Sequence, residues 1–126
     1  MLIRCLYALF PLATLALLIS CGGPSGLPNA LGDCPGDSSV TWSDVEPTFE
    51  ASCTSCHSVD KSGTERVGAK EAVDYDNADL ALNSSGTTPQ GTWYQIYART
   101  MPPGSDSVRD PDALLIHEWL SCGGPE

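Results

Sequence analysis

Residues 53–57 read Cys53-Thr54-Ser55-Cys56-His57, and these two thiols and one imidazole decide how the rest of the chain is read. Upstream, Val45, Phe49 and Cys53 recur at four-residue steps and share one face of a helix. That spacing predicts a helix beginning near Asp44 and running into 53–57. Pro47 fits its first turn, where the missing N–H costs little. Cysteines at i and i+3 then lie on one helical face, and the next residue, His57, projects just beyond them. Two chemistries compete for such a group. A thioredoxin-like redox dithiol belongs in a strand-rich βαβ setting, whereas only scattered β-branched residues occur here. A zinc site takes four ligands, usually two spaced pairs. The remaining candidates, Cys34, Cys122 and His117, form no second C-x-x-C.

The third reading is the covalent haem c attachment signature, C-x-x-C-H. The two sulfurs reach the two vinyl groups on one porphyrin edge, and His57 supplies the proximal iron ligand. Downstream, Met101 stands in Thr100-Met101-Pro102-Pro103-Gly104. Neutral thioether sulfur is a soft ligand, and the prolines hold it with little conformational freedom. Core packing is the ordinary alternative for a methionine.

The chain around this pair reads as helices. A short helix is expected over 77–83, capped by Asp76. Trp93, Ile96 and Tyr97, at i, i+3 and i+4, predict another, stopped by Pro102 and Pro103. In the last, Asp110 is the cap, Pro111 takes the first position, Gly123 ends it, and Leu115, Ile116, Trp119 and Leu120 form its apolar stripe. The fold class is therefore all-α, three to five short helices, over about 40–122.

Taken with C-x-x-C-H, Met101-Pro102-Pro103 resembles the late methionine loop of class I c-type cytochromes. Val45-x-Pro47-x-Phe49 before the motif and Leu120-Ser121-Cys122-Gly123 at the end extend the resemblance, which is closest to small monohaem domains of exported bacterial lipoproteins. It implies one covalent haem c, with thioethers at Cys53 and Cys56, His57 proximal and Met101 distal. Imidazole and sulfur should then face each other across a cleft. It also implies that the first and last helices cross, bringing Cys34 and Cys122 together as a disulfide, which an oxidising compartment permits. The Gly-Pro-x-Leu segment of many such cytochromes is missing. The cleft wall within 58–92 is consequently unassigned, with Val59, Val67, Val73, Tyr75, Leu80 and Leu82 as candidates. His117, the rival sixth ligand, lies about 130° from the last helix's apolar stripe on a wheel of 100° per residue and should point to solvent. Trp119 should pack against Phe49. Trp93 and Tyr97 are haem-facing or core. For Arg99 a solvated position is favoured over a propionate contact.

Residues 1–20 carry one cation, Arg4, and an apolar run of 14 residues over 6–19, broken only by Pro11 and Thr14. That suits a signal-peptide core and falls short of the roughly 20 residues needed to span a bilayer. Leu18-Ile19-Ser20-Cys21-Gly22 resembles the lipobox of bacterial lipoproteins, which implies lipidation of Cys21. An ordinary cleaved signal peptide and an uncleaved anchor are the alternatives. All three place the domain outside the cytoplasm, and two or more acyl chains would anchor it stably. Gly22 is not the aspartate that often retains lipoproteins at the inner membrane, so the periplasmic face of the outer membrane, or the cell surface, is favoured. Residues 21–40, rich in Gly, Pro, Ser, Asn and Asp, read as a flexible tether before the domain at 41–126.

The 126-residue chain has 6 Lys+Arg against 16 Asp+Glu. Cleavage before Cys21 leaves 106 residues, removes Arg4 and gives 5 − 16 = −11. A surface this acidic excludes nucleic acid and electrostatic binding to anionic lipid. It favours redox partners with basic docking faces. No Ser/His/Asp grouping or phosphate loop appears, and iron closed by two axial ligands offers no place for a small-molecule substrate. The expectation is a one-electron carrier, not an enzyme. A haem enzyme or sensor with a displaceable sixth ligand, and a haem-free disulfide-stapled lipoprotein, are the other classes.

Overall fold

Four helices, α1 Trp42–Ser52, α2 Ala78–Asn83, α3 Pro89–Tyr97 and α4 Asp110–Ser121, with one 3-10 turn at Gly63–Arg66, make up the regular structure of a computed structural model. It describes residues 26–104 and 107–126. No strand occurs among them, and the all-α class is observed. Residues 1–20 and Cys21 lie outside the described residues. Among those described, no helix is long and apolar enough to cross a membrane.

Each helix departs from expectation for a local reason. α1 starts two residues early, because Thr41 and Asp44 form a reciprocal capping box, the Asp44 carboxylate accepting from Thr41 N at 2.8 Å. Pro47 therefore lies beyond the first turn, and the carbonyl it leaves unpaired, that of Ser43, is on an exposed residue. α1 ends at Ser52, so 53–56 form a turn. Helical spacing nevertheless persists, with His57 N donating to Cys53 O at 2.9 Å. The α2 cap is Asn77, which accepts from Leu80 N, while Asp76 accepts from Val59 N at 3.0 Å. α3 starts at Pro89 behind its cap Thr88 and stops at Tyr97, well before Pro102, with Arg99 left-handed at φ 58°. In α4 Asp110 is the first helical residue instead of the cap, and Arg109 precedes it. Gly123, at φ 76°, ends α4: Gly124 N donates to Trp119 O and Gly123 N to Leu120 O, satisfying the last carbonyls.

The core is aromatic. Phe49, Trp93 and Trp119 are fully buried. Trp119 packs on α1 as expected, 6.0 Å from Phe49 and 5.4 Å from Trp42 between ring centroids. Ala113 is buried on α4 where Leu115 was expected, and Leu115 is exposed. Trp93 belongs to the core, its indole N–H donating to Pro28 O at 3.0 Å. Tyr97 packs against the same core, half-buried.

Residues 27–34, read above as part of a tether, lie across α3 and α4. Leu27 is buried, Leu31 N donates to Gln90 Oε1 and Gly32 N to Ser121 Oγ. His117 does not point to free solvent. It is half-buried, its Nε2 donates to Ala30 O at 2.9 Å, and its ring meets Trp93 edge-on at 4.7 Å. The apolar leucine and the backbone groups, freed from any helix, find partners in a groove that composition alone does not reveal. Cys34 and Cys122 are joined by a disulfide across a sequence separation of 88.

Two stability outcomes follow. Leu27→Ala should lower unfolding free energy by about 2–5 kcal/mol in urea titration, as for a core leucine; a loose tether would give no change. Removing the disulfide with Cys34→Ser/Cys122→Ser should cost about 4–5 kcal/mol by loop-closure entropy, read in the same titration.

Candidate functional site

One cavity of about 630 Å³ takes in Cys53, Cys56, His57 and Met101 together. Its size lies within the roughly 300–1,000 Å³ typical of small-molecule and cofactor sites. α1 supplies Phe49, the turn after it both cysteines, the 66–75 loop Val73 and Tyr75, α3 Thr92 and Ile96, and the loop after α3 Met101, Pro102 and Pro103. His117 does not line it, nor do Trp93, Tyr97 and Arg99. Of the wall candidates, Val67, Val73 and Tyr75 do, while Val59, Leu80 and Leu82 do not.

His57 is held from several sides. Its Nδ1 lies 2.9 Å from Val73 O. A carbonyl oxygen only accepts, so Nδ1 carries the proton and donates, which frees the Nε2 lone pair for a ligand. Tyr75 N donates to His57 O at 3.1 Å, and the Tyr75 ring meets the imidazole edge-on at 5.3 Å. Burial pushes the Tyr75 hydroxyl up against the opposing effect of its hydrogen bond with Thr92. The 66–75 loop passes close to Gly86, where a Cβ would come within 2.5 Å of Val73 Cγ2.

The loop carrying Met101 is latched at both ends. Thr100 N and Met101 N both donate to Gln95 O, at 3.0 and 3.2 Å. Arg99 donates to Val108 O at 2.7 Å and pairs with Asp110, so it is a partly exposed structural latch outside the cavity. The Met101–Pro102 bond is cis. Met101 faces the same cavity as His57, yet its side chain remains partly exposed, at 37 %.

Sequence reading missed Arg66, which is buried at 2 % exposure in a chain with six Lys+Arg. It donates to Ser58 O, Lys70 O and Val73 O, and pairs with Asp74 at 2.9 Å. The available signal was Ser62-Gly63-Thr64-Glu65, a capping-box pattern that announces the turn carrying it. Among the described residues no Asp or Glu lines the cavity, whereas Arg66 and Lys70 do.

Cys53 and Cys56 are free and half-buried. Burial, and then neighbouring Cys56, push the Cys53 thiol up to about 12. A reactive redox dithiol needs the opposite shift. Among the described residues no three His, Cys, Asp or Glu side chains gather to hold a metal ion by themselves.

In protein with unmodified thiols, iodoacetamide should alkylate Cys53 at pH 8 about one to two orders of magnitude more slowly than a free cysteine. The rate should keep climbing with pH above about 9. Peptide mass mapping reads both, and fast labelling that levels off near pH 8 would return the pair to redox chemistry.

Comparison with protein-family models, with curated proteins and with solved structures finds no match to this chain.

Proposed function

We propose that the chain binds one covalent haem c and carries single electrons on the extracytoplasmic side of a bacterial membrane, anchored by lipid at Cys21. The observation that carries this reading is the meeting of C-x-x-C-H and Met101 in one cavity, with the His57 tautomer fixed so that Nε2 is the free donor. The donor set suits iron porphyrin. Two thiols stand at one end, an imidazole lone pair is available, and a thioether comes from a separate loop. Lys70, in a lining whose described residues include no carboxylate, suits a propionate.

Each residue then has a task. Cys53 and Cys56 fix the group covalently. His57, oriented by Val73 O, would hold the iron through Nε2, and the loop latched by Gln95 and Arg99 would present Met101 as a second ligand. Phe49, Val73, Tyr75 and Ile96 exclude water. Bound haem supplies a one-electron iron couple, whose potential Met/His ligation raises. With His57 and Met101 both holding the iron, electron transfer would be favoured over substrate chemistry. The formal −11 of the lipidated chain favours partners with basic docking faces.

The partial exposure of Met101 favours a second reading, an enzyme or sensor whose sixth ligand is displaced. Carbon monoxide separates the two. The ferrous carrier should show no spectral change at neutral pH, and Met101→Ala should bind the gas readily; wild-type binding would support the sensor. Covalent attachment is tested by staining for haem on a denaturing gel after periplasmic expression. Wild type should stain, and Cys53→Ala/Cys56→Ala should not. An unstained wild-type band would leave a disulfide-stapled lipoprotein.

A further inference from the structure

The Val73 carbonyl accepts twice, from His57 Nδ1 at 2.9 Å and from Arg66 Nη2 at 2.9 Å. We infer that Arg66 sets the donor strength of His57 by sharing this carbonyl with it. Arg66 is therefore a positioning residue for the iron couple, though it touches neither iron nor imidazole. The inference rests on the haem reading above.

A hydrogen bond from the distal ring N–H to an acceptor makes a ligating imidazole more electron-donating. The stronger the acceptor, the closer the ring comes to imidazolate, and the more the oxidised metal is stabilised. A guanidinium on the same oxygen withdraws electron density from it and weakens its hold on the Nδ1 proton. His57 then donates less, and the reduced state is favoured.

The placement of Arg66 is also well enforced. Besides Val73 O, it reaches Ser58 O, next to His57, at 2.9 Å, and Lys70 O at 3.0 Å, so one side chain ties both ends of the loop over the imidazole. The two N–H groups of Nη2 are divided among Lys70 O, Val73 O and Asp74 Oδ1. Asp74 cancels the net charge at 2.9 Å, so the effect runs through the shared oxygen more than through a bare positive field. Nε is buried without a hydrogen-bond partner, 3.9 Å from the Glu71 carboxylate. No rearrangement within the loop is needed to hold the fork toward the carbonyls.

The test uses haem-loaded Arg66→Met/Asp74→Asn, in which both charges leave together, beside Arg66→Lys, which keeps the cation but loses the planar fork. The readouts are the His57 Nδ1–H proton resonance in the ferrous protein and the reduction potential. In both variants the resonance should move downfield, and the reduced-to-oxidised ratio at fixed potential should fall about three- to tenfold. Tenfold corresponds to about 59 mV for one electron. A resonance and potential equal to wild type in either folded variant overturn the inference, as does a loss of thermal stability alone. Wild-type protein without covalent haem overturns the reading beneath it as well, and is recognised beforehand by the missing haem absorbance.

Discussion

The hydrogen bond from His57 Nδ1 to Val73 O is the constraint on which the site depends. An imidazole has two nitrogens, and only one can be offered to a ligand while the other is tied to the protein. The backbone carbonyl settles the choice, because it can only accept. Everything around it serves to hold that carbonyl still. Asp74 N and O both bond to Ser84 Oγ, Gly86 lets the loop pass close, and Arg66 ties 58, 70 and 73 together. Local rigidity is thus spent on orienting one ring.

The remaining stability comes from a compact aromatic core and from chain ends that are fastened to it. Trp119, Trp42, Phe49 and Tyr75 contact one another in that order, and the Tyr75 ring carries the packing up to His57. At the amino end of the described residues Leu27 enters the core and Cys34 is bonded to Cys122. At the other end Pro125 O accepts from Trp42 N and from the Trp119 indole. A domain this small buries little apolar surface, and these fastenings offset the deficit. The 53–57 turn, the 66–75 loop and the Met101 loop can then remain irregular while still presenting fixed groups to the cavity.

What was legible in the sequence was what obeys a period or a short motif. The all-α class, the last helix and the meeting of Trp119 with Phe49 came from spacing, whereas the expectation that Cys53, Cys56, His57 and Met101 share one cleft came from the resemblance to class I c-type cytochromes. What was illegible was contact made by backbone. Val73 matters through its carbonyl, which any residue has. Leu27 and Ala30 look like linker because composition records their neighbours and not the groove on α3 and α4 that takes them. His117 was misplaced because a helical wheel measures its angle from the core and knows nothing of a strap lying outside. Helix boundaries moved where caps outcompeted the apolar pattern, as Thr41 and Asn77 did. Arg66 was legible only through its capping box, and its burial contradicts the usual fate of an arginine.

Iron K-edge X-ray absorption on the matured ferrous protein tests most directly whether His57 and Met101 grip one metal. One sulfur scatterer alongside five nitrogen scatterers is the expected shell, with the sulfur lost in Met101→Ala. Six light scatterers would contradict the thioether ligand, and a sample without iron would contradict the haem site altogether.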